Sequence, residues 1–132
     1  MGAILMKPSG ISIGENTIIN QYVLLDGRSG LTIGNNNSIS MFAKIYTGTH
    51  KSYSDNFEYY GKCTKICDNC WIGTSSIIMP GSELKDFTIL SVNSLYKGIS
   101  SEKDILVGNP ANAIRKRDIN NKYKIEYKAW FV

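Results

Sequence analysis

Large aliphatic side chains fall every sixth residue along most of this chain. They stand at Ile13, Ile19 and Leu25, then at Ile33, Ile39 and Ile45, and again at Ile66, Ile72, Ile78, Leu84 and Leu90. The fourth residue after each is small: Thr17, Val23, Ser29, Ala43, Thr49, Cys70, Ser76, Ser82, Thr88 and Ser94, with Asn37 the one exception. A helix repeats near 3.6 residues and a strand near 2, so a step of six fits neither. It fits a coil of flat sides and tight corners, with the large and the small residue both turned into a narrow interior. One coil cannot bury its own core. Coils must therefore stack, about 4.8 Å apart, with their backbones paired as parallel sheets.

Grouped in threes, the ladder opens coils at Ile13, Ile33, Ile66 and Leu84, with a looser coil after them. Between the large and small positions lie Gly14, Asn16, Gly34, Asn35, Asn36, Asp68, Asn69 and Gly73, types that tolerate the positive φ of a tight corner. Two insertions interrupt the pattern. Arg28 to Leu31 absorbs two extra residues, and a long excursion runs from about 51 to 65. The expected organisation is one all-β domain over residues 1–118, followed by a capping tail, 119–132, as a strand or a packed helix.

At 132 residues the chain is long enough for one modest core. It has no apolar run long enough to span a membrane, and Met1 to Met6 do not read as a secretory signal, so a cytoplasmic location is expected. The net charge is +4, with much of the excess at Arg115, Lys116, Arg117, Lys122, Lys124 and Lys128. No stacking module or recognition helix accompanies this patch, so a phosphate-bearing small ligand suits it better than nucleic acid. Cys63, Cys67 and Cys70 have the look of a metal-ligand cluster. Yet Cys70 falls on an inward slot, Cys67 and Cys70 face opposite ways, and no fourth ligand stands nearby. No metal is expected.

His50 is the one histidine, and the long excursion follows it directly. It comes one residue after the inward slot given to Thr49, so it should sit at a corner and point outward. Histidine is the side chain that normally titrates near neutral pH, which makes His50 the candidate general base. Asp55 or Glu58 in the excursion could orient its ring. Trp71 follows inward Cys70 and should face outward, where so large a ring calls for a neighbour or a ligand. Asn109-Pro110 reads as an N-cap and a first-turn proline, opening a short basic helix that carries Arg115.

Several segments then carry a resemblance. Asn20, Leu24–Gly27, Thr47–His50, Tyr60–Lys62, Trp71–Gly73 and Gly108–Ala111 occur in the order and near the spacing of the hexapeptide-repeat sugar O-acetyltransferases. The chain resembles that family over about residues 11 to 117. The maltose and galactoside enzymes, and those of capsule and exopolysaccharide synthesis, are its nearest types. The resemblance implies a left-handed β-helix of triangular coils that assembles as a homotrimer, with cofactor sites between subunits. It implies direct acetyl transfer from acetyl-CoA to a hydroxyl of a sugar or polysaccharide precursor, with no acyl-enzyme. His50 matches the catalytic base and Asn20 an acceptor-binding asparagine. Trp71 matches a residue beside the pantetheine channel. Thr74 and Val92 match positions that hold the cofactor through their backbones. Arg115 matches a residue near the nucleotide phosphate.

This chain departs from the pattern in three places. Lys97-Gly98 stands where Thr-Lys is usual, so the phosphate-binding lysine is shifted to Lys97 or lost. Cys63 replaces a usual proline. The chain opens almost directly on its first coil, without the helical segment that helps many relatives bind the acceptor. A more open site is expected, suited to a larger or membrane-linked saccharide. An amine acceptor, on an amino sugar or a small xenobiotic, would use the same base. A non-catalytic scaffold would have no need of His50, Trp71 or Arg115.

Overall fold

The computed structural model describes residues 2–120 and 122–126. A strand β1 (Ile4–Met6) precedes the first full coil, formed by β2 (Ile11–Ile13), β3 (Ile18–Ile19) and β4 (Leu24–Asp26). The second coil is β5 (Leu31–Ile33), β6 (Ser38–Ile39) and β7 (Lys44–Ile45). The chain then leaves the stack as β8 (Gly48–His50) and β9 (Tyr59–Gly61), an antiparallel hairpin. It returns for β10 (Thr64–Ile66), β11 (Trp71–Ile72) and β12 (Ile77–Ile78), then β13 (Glu83–Leu84), β14 (Ile89–Leu90) and β15 (Leu95–Tyr96). Finally β16 (Asp104–Gly108) stacks on β14, and β17 (Ala111–Lys116) turns back antiparallel to it.

The strands form three parallel sides. One runs β1-β4-β7-β12-β15, the second β2-β5-β10-β13, and the third β3-β6-β11-β14-β16. The predicted ladder is the register of these sides. Ile13, Ile33, Ile66 and Leu84 are successive partners on the second. Ile19, Ile39, Ile72 and Leu90 are partners on the third, and Leu106 follows them. On the first, Leu25, Ile45 and Ile78 continue upward to Tyr96 and downward to Leu5. From Leu25 to Leu90 these aliphatics are essentially fully buried. Each contributes about 1.5–3 kcal/mol by burial. Ile13 is 43 % exposed because the lowest coil has no full coil beneath it.

The corners correct three expectations. Positive φ falls on the third residue after a ladder aliphatic: Asn16, Asn36, Asn69 and Phe87 at one corner, Tyr22, Phe42, Ser75 and Asn93 at the next. Gly14, Gly34 and Gly73 are not among the positive-φ residues. Their reason is contact, since a Cβ on Gly34 would lie 2.8 Å from the Cys67 carbonyl oxygen of the next coil, and one on Gly73 2.6 Å from the Val92 nitrogen. The second correction concerns Thr49, which is exposed on the hairpin. The chain leaves the coil earlier than expected, at Gly48, and Thr47 and Thr64 are the buried residues there. The excursion thus ends sooner as well, because Thr64 and Lys65 already belong to β10. The third is the basic helix, which is instead strand β17. Its residues pair with β16 in sheet hydrogen bonds that tertiary context favours over the local helix-start signal. Residues 117–120 and 122–126 form neither helix nor strand. The remainder of the predicted capping element, including Tyr127, Ala129 and Phe131, lies outside the described residues.

Asn37 explains its own irregularity. Its buried amide donates to the Cys67 carbonyl (2.7 Å) and accepts from the Cys70 N–H (2.7 Å), joining two coils across the long excursion. Cys70 is buried against this corner, and burial pushes its thiol up to about 12. Cys67 is raised the same way, and Cys63 is exposed. Among the described residues, no group of three His, Cys, Asp or Glu side chains is placed to hold a metal ion.

Candidate active site

The hairpin that carries His50 is fastened to the coils by a buried carboxylate. Asp26 ends β4 and is fully buried. Its Oδ1 accepts from the Arg28 backbone N–H (3.0 Å) and Nε (2.9 Å), and its Oδ2 accepts from Arg28 Nη2 (2.9 Å) and the Thr47 N–H (3.0 Å). Burial alone would raise its pKa, but the Arg28 guanidinium and the two backbone donors outweigh that and hold it well below the usual carboxylate range. Thr47 Oγ donates to the Asp26 carbonyl (3.0 Å) and accepts from the Ser29 N–H (3.0 Å). Ser29 Oγ lies 2.9 Å from the Tyr59 hydroxyl, and the Arg28 guanidinium sits over the Tyr59 ring. Gly48 completes the root, since a Cβ there would meet the Tyr59 ring at 2.6 Å.

Above this root His50 is exposed, as expected, but on a hairpin strand and not at a coil corner. Its Nδ1 lies 2.9 Å from the Phe57 carbonyl oxygen. A carbonyl can only accept, so Nδ1 carries the hydrogen and Nε2 of the neutral ring is left with its lone pair. The imidazole also stacks on the Phe57 ring, with centroids 3.7 Å apart, and meets Tyr59 edge-on at 6.1 Å. The orienting group is therefore a backbone carbonyl and not the carboxylate of Asp55 or Glu58. Glu58 instead pairs with Lys51 at 2.7 Å. A cavity of about 330 Å³ opens beside the ring, lined also by Thr49, Lys51, Ser52, Tyr53, Tyr60 and Lys97.

A second concavity, about 240 Å³, lies on the third side. It brings together Trp71, Thr74 and Val92 with Ser40 and Gly73. Trp71 is 48 % exposed, and its Nε1 donates to Ser40 Oγ (3.2 Å). Thr74 and Val92 are exposed at neighbouring turns of one corner, and the Thr74 carbonyl accepts from the Asn93 N–H (2.9 Å). Asn20 lies lower on the same corner, beside Gln21 and Met41, with its Nδ2 donating to the Ile39 carbonyl (2.9 Å). Arg115 is exposed on β17, opposite Ile105.

The structure thus divides the predicted site residues. Trp71, Thr74 and Val92 share one concavity, Asn20 and Arg115 flank it along the third side, and His50 stands apart on the hairpin. Lys97 is the surprise, because it lines the cavity of His50 and not the concavity of Trp71. Phe57 and Asp26 were not among the predicted site residues. A fully buried aspartate needs a partner, and Arg28 two residues on was the available signal.

Residues beyond β17 also reach this region. Arg117 donates to the Asn69 carbonyl (3.0 Å) and to the Tyr123 hydroxyl (3.2 Å), while Asn69 Nδ2 donates to the Tyr123 carbonyl (2.9 Å). Arg117, Tyr123 and Ile125 then border the exposed side of Trp71.

No family model matches the sequence. The chain is 28% identical over 111 residues to WcaF of Escherichia coli, a protein named after colanic acid biosynthesis, covering 83% of this chain and 60% of that one. It is 29% identical over 122 residues to the galactoside O-acetyltransferase of Escherichia coli, covering 90% of this chain and 59% of that one. The chain therefore spans about 60% of the length of these curated relatives. Among solved structures, a hexapeptide-repeat acetyltransferase of Vibrio cholerae in complex with acetyl-CoA matches with a TM-score of 0.81 at 27% identity, over 86% of this chain and 64% of that one. In sequence and in fold the chain is matched by hexapeptide-repeat acetyltransferases, and that is the family it resembles.

Proposed function

We propose that this protein is an acetyl-CoA-dependent O-acetyltransferase that acetylates a hydroxyl of a sugar or polysaccharide precursor. The observation that carries the reading is the bond from His50 Nδ1 to the Phe57 carbonyl, which leaves Nε2 as the acceptor. Nε2 takes the proton of the acceptor hydroxyl as its oxygen attacks the thioester carbonyl. The carbon–sulfur bond of the tetrahedral intermediate then breaks, and the imidazolium returns the proton to the departing thiolate. Acetyl-CoA lies along the Trp71 concavity, where the backbones of Thr74 and Val92 meet the pantetheine arm and Arg115 meets a phosphate. Asn20 offers an amide to the acceptor. The vibrio structure with acetyl-CoA supports the cofactor, and the names of WcaF and the galactoside enzyme support a saccharide acceptor.

His50 and Trp71 line different cavities of one chain, so the reading needs a homotrimer in which the hairpin of one subunit faces the concavity of the next. Exposed Tyr22, Phe42 and Trp71 give such an interface its apolar area. The location that belongs to this proposal is the cytoplasm. The test is to incubate the purified protein with acetyl-CoA and a panel of sugars, following free thiol and the acetylated sugar by mass. Acetyl ester on a sugar hydroxyl is the expected product. Amide formation on amino sugars alone would replace the hydroxyl acceptor with an amine.

A further inference from the structure

Within the cavity beside His50, the charges are unequal. Lys51 is neutralised by Glu58 at 2.7 Å. Lys97 is exposed and has no carboxylate within ion-pair distance among the described residues. Its backbone is well held. Tyr96 before it is buried in the first side, in register with Ile78. Gly98 after it adopts φ 150°, donates its N–H to Ser82 Oγ (3.3 Å) and accepts from the Glu83 N–H (2.9 Å). The cation is thus mounted on the rigid coil, while the base is mounted on the hairpin.

The chemistry of the cofactor says which ligand such a cation meets. In acetyl-CoA the pantetheine arm separates the thioester from every phosphate. A lysine that shares a cavity with the base stands at the acyl end, where the acceptor must also lie. We propose that the acceptor is an anionic saccharide, bearing a carboxylate or a phosphate, and that Lys97 binds this group beside His50. This rests on the acetyltransferase reading above. The hydroxyls of Tyr53, Tyr60 and Ser52 complete a polar cavity suited to a sugar.

Three acceptors test it: methyl glucoside, methyl glucuronoside and glucose 1-phosphate. Their kcat/KM values are compared with acetyl-CoA saturating. Binding of each to the intact protein with CoA present is measured by calorimetry. An anionic acceptor should exceed the neutral one by about tenfold or more, chiefly through the acceptor KM, as a charge-assisted contact gives. Lys97→Gln should bring the ratio to within about twofold of one, and Lys97→Arg should keep most of it. The glucuronoside and phosphate arms tell which anion is read. Equal use of the neutral and anionic sugars by the unaltered protein overturns the proposal. So does a Lys97→Gln variant that keeps the ratio and raises only the KM for acetyl-CoA, which would return Lys97 to the cofactor. Failure to acetylate any sugar sinks the O-acetyltransferase reading instead, while the calorimetric ratio still decides the charge preference.

Discussion

The coil stack and the β8–β9 hairpin obey different rules. In the stack, side chains at a fixed step of six pair from coil to coil, and those from Leu25 to Leu90 are buried. The hairpin has no such period, and all three residues of β9 are exposed. Its position comes from a few polar contacts at its root, through Asp26, Thr47 and Tyr59. The stack therefore carries the buried core, and the hairpin presents the candidate base. A base needs access to its substrate, and a fully buried ladder residue cannot offer it.

Truncating the ladder should have the largest effect. Ile45→Ala or Ile72→Ala removes a fully buried side chain between two stacked neighbours, so unfolding free energy should fall by about 2–5 kcal/mol. Urea denaturation measures it. A loss below 1 kcal/mol would mean that the stack tolerates cavities and does not bear the stability.

Asp26→Asn comes next, because it leaves Arg28 without its carboxylate and weakens the root of the hairpin. The expected loss is about 2–4 kcal/mol near neutral pH. Its pH dependence has a definite sign. Asp26 has a depressed pKa in the folded protein, so its contribution is fully present above the ordinary aspartate value of about 3.9. As pH falls below that value toward the lower folded pKa, the contribution is lost and the variant should converge on the unaltered protein. A gap that widens in acid would contradict the assignment.

A smaller effect is expected at Arg115, which is exposed. Arg115→Ala should raise the KM for acetyl-CoA by about 1–2 kcal/mol equivalent and leave kcat nearly unchanged, because a remote phosphate contact holds substrate and transition state alike. Loss of kcat at constant KM would place Arg115 at the reacting atoms. The smallest stability change should come from Phe57→Ala. Phe57 is 72 % exposed, so the cost should stay within about 1 kcal/mol while turnover falls as the ring support of His50 is lost. A change in stability as large as that of Ile45→Ala would erase the distinction between the two regions.

Much of the stack was legible because burial enforces its period. The ladder from Ile13 to Leu90 predicted the sides, their register and the coil starts. The period does not say why a position is small, so it points to bends at Gly34 and Gly73, which are instead close contacts between coils. The Asn109-Pro110 signal is local and missed the pairing of β17 with β16. The hairpin was legible only as an interruption with a histidine at its edge. Its key contact is made by a backbone carbonyl, which any residue at position 57 would supply, so no side-chain type marks it. Lys97 could have been placed from the ladder, since Tyr96 continues the line of Ile45 and Ile78 above the root of the hairpin.

His50→Ala tests the central claim most directly, with acetyl transfer to an accepted sugar and acetyl-CoA binding measured on the same preparation. If Nε2 is the base, kcat should fall by roughly 10²–10⁴-fold while acetyl-CoA affinity and the oligomeric state are unchanged. A variant that turns over within about threefold of the unaltered protein would contradict that role.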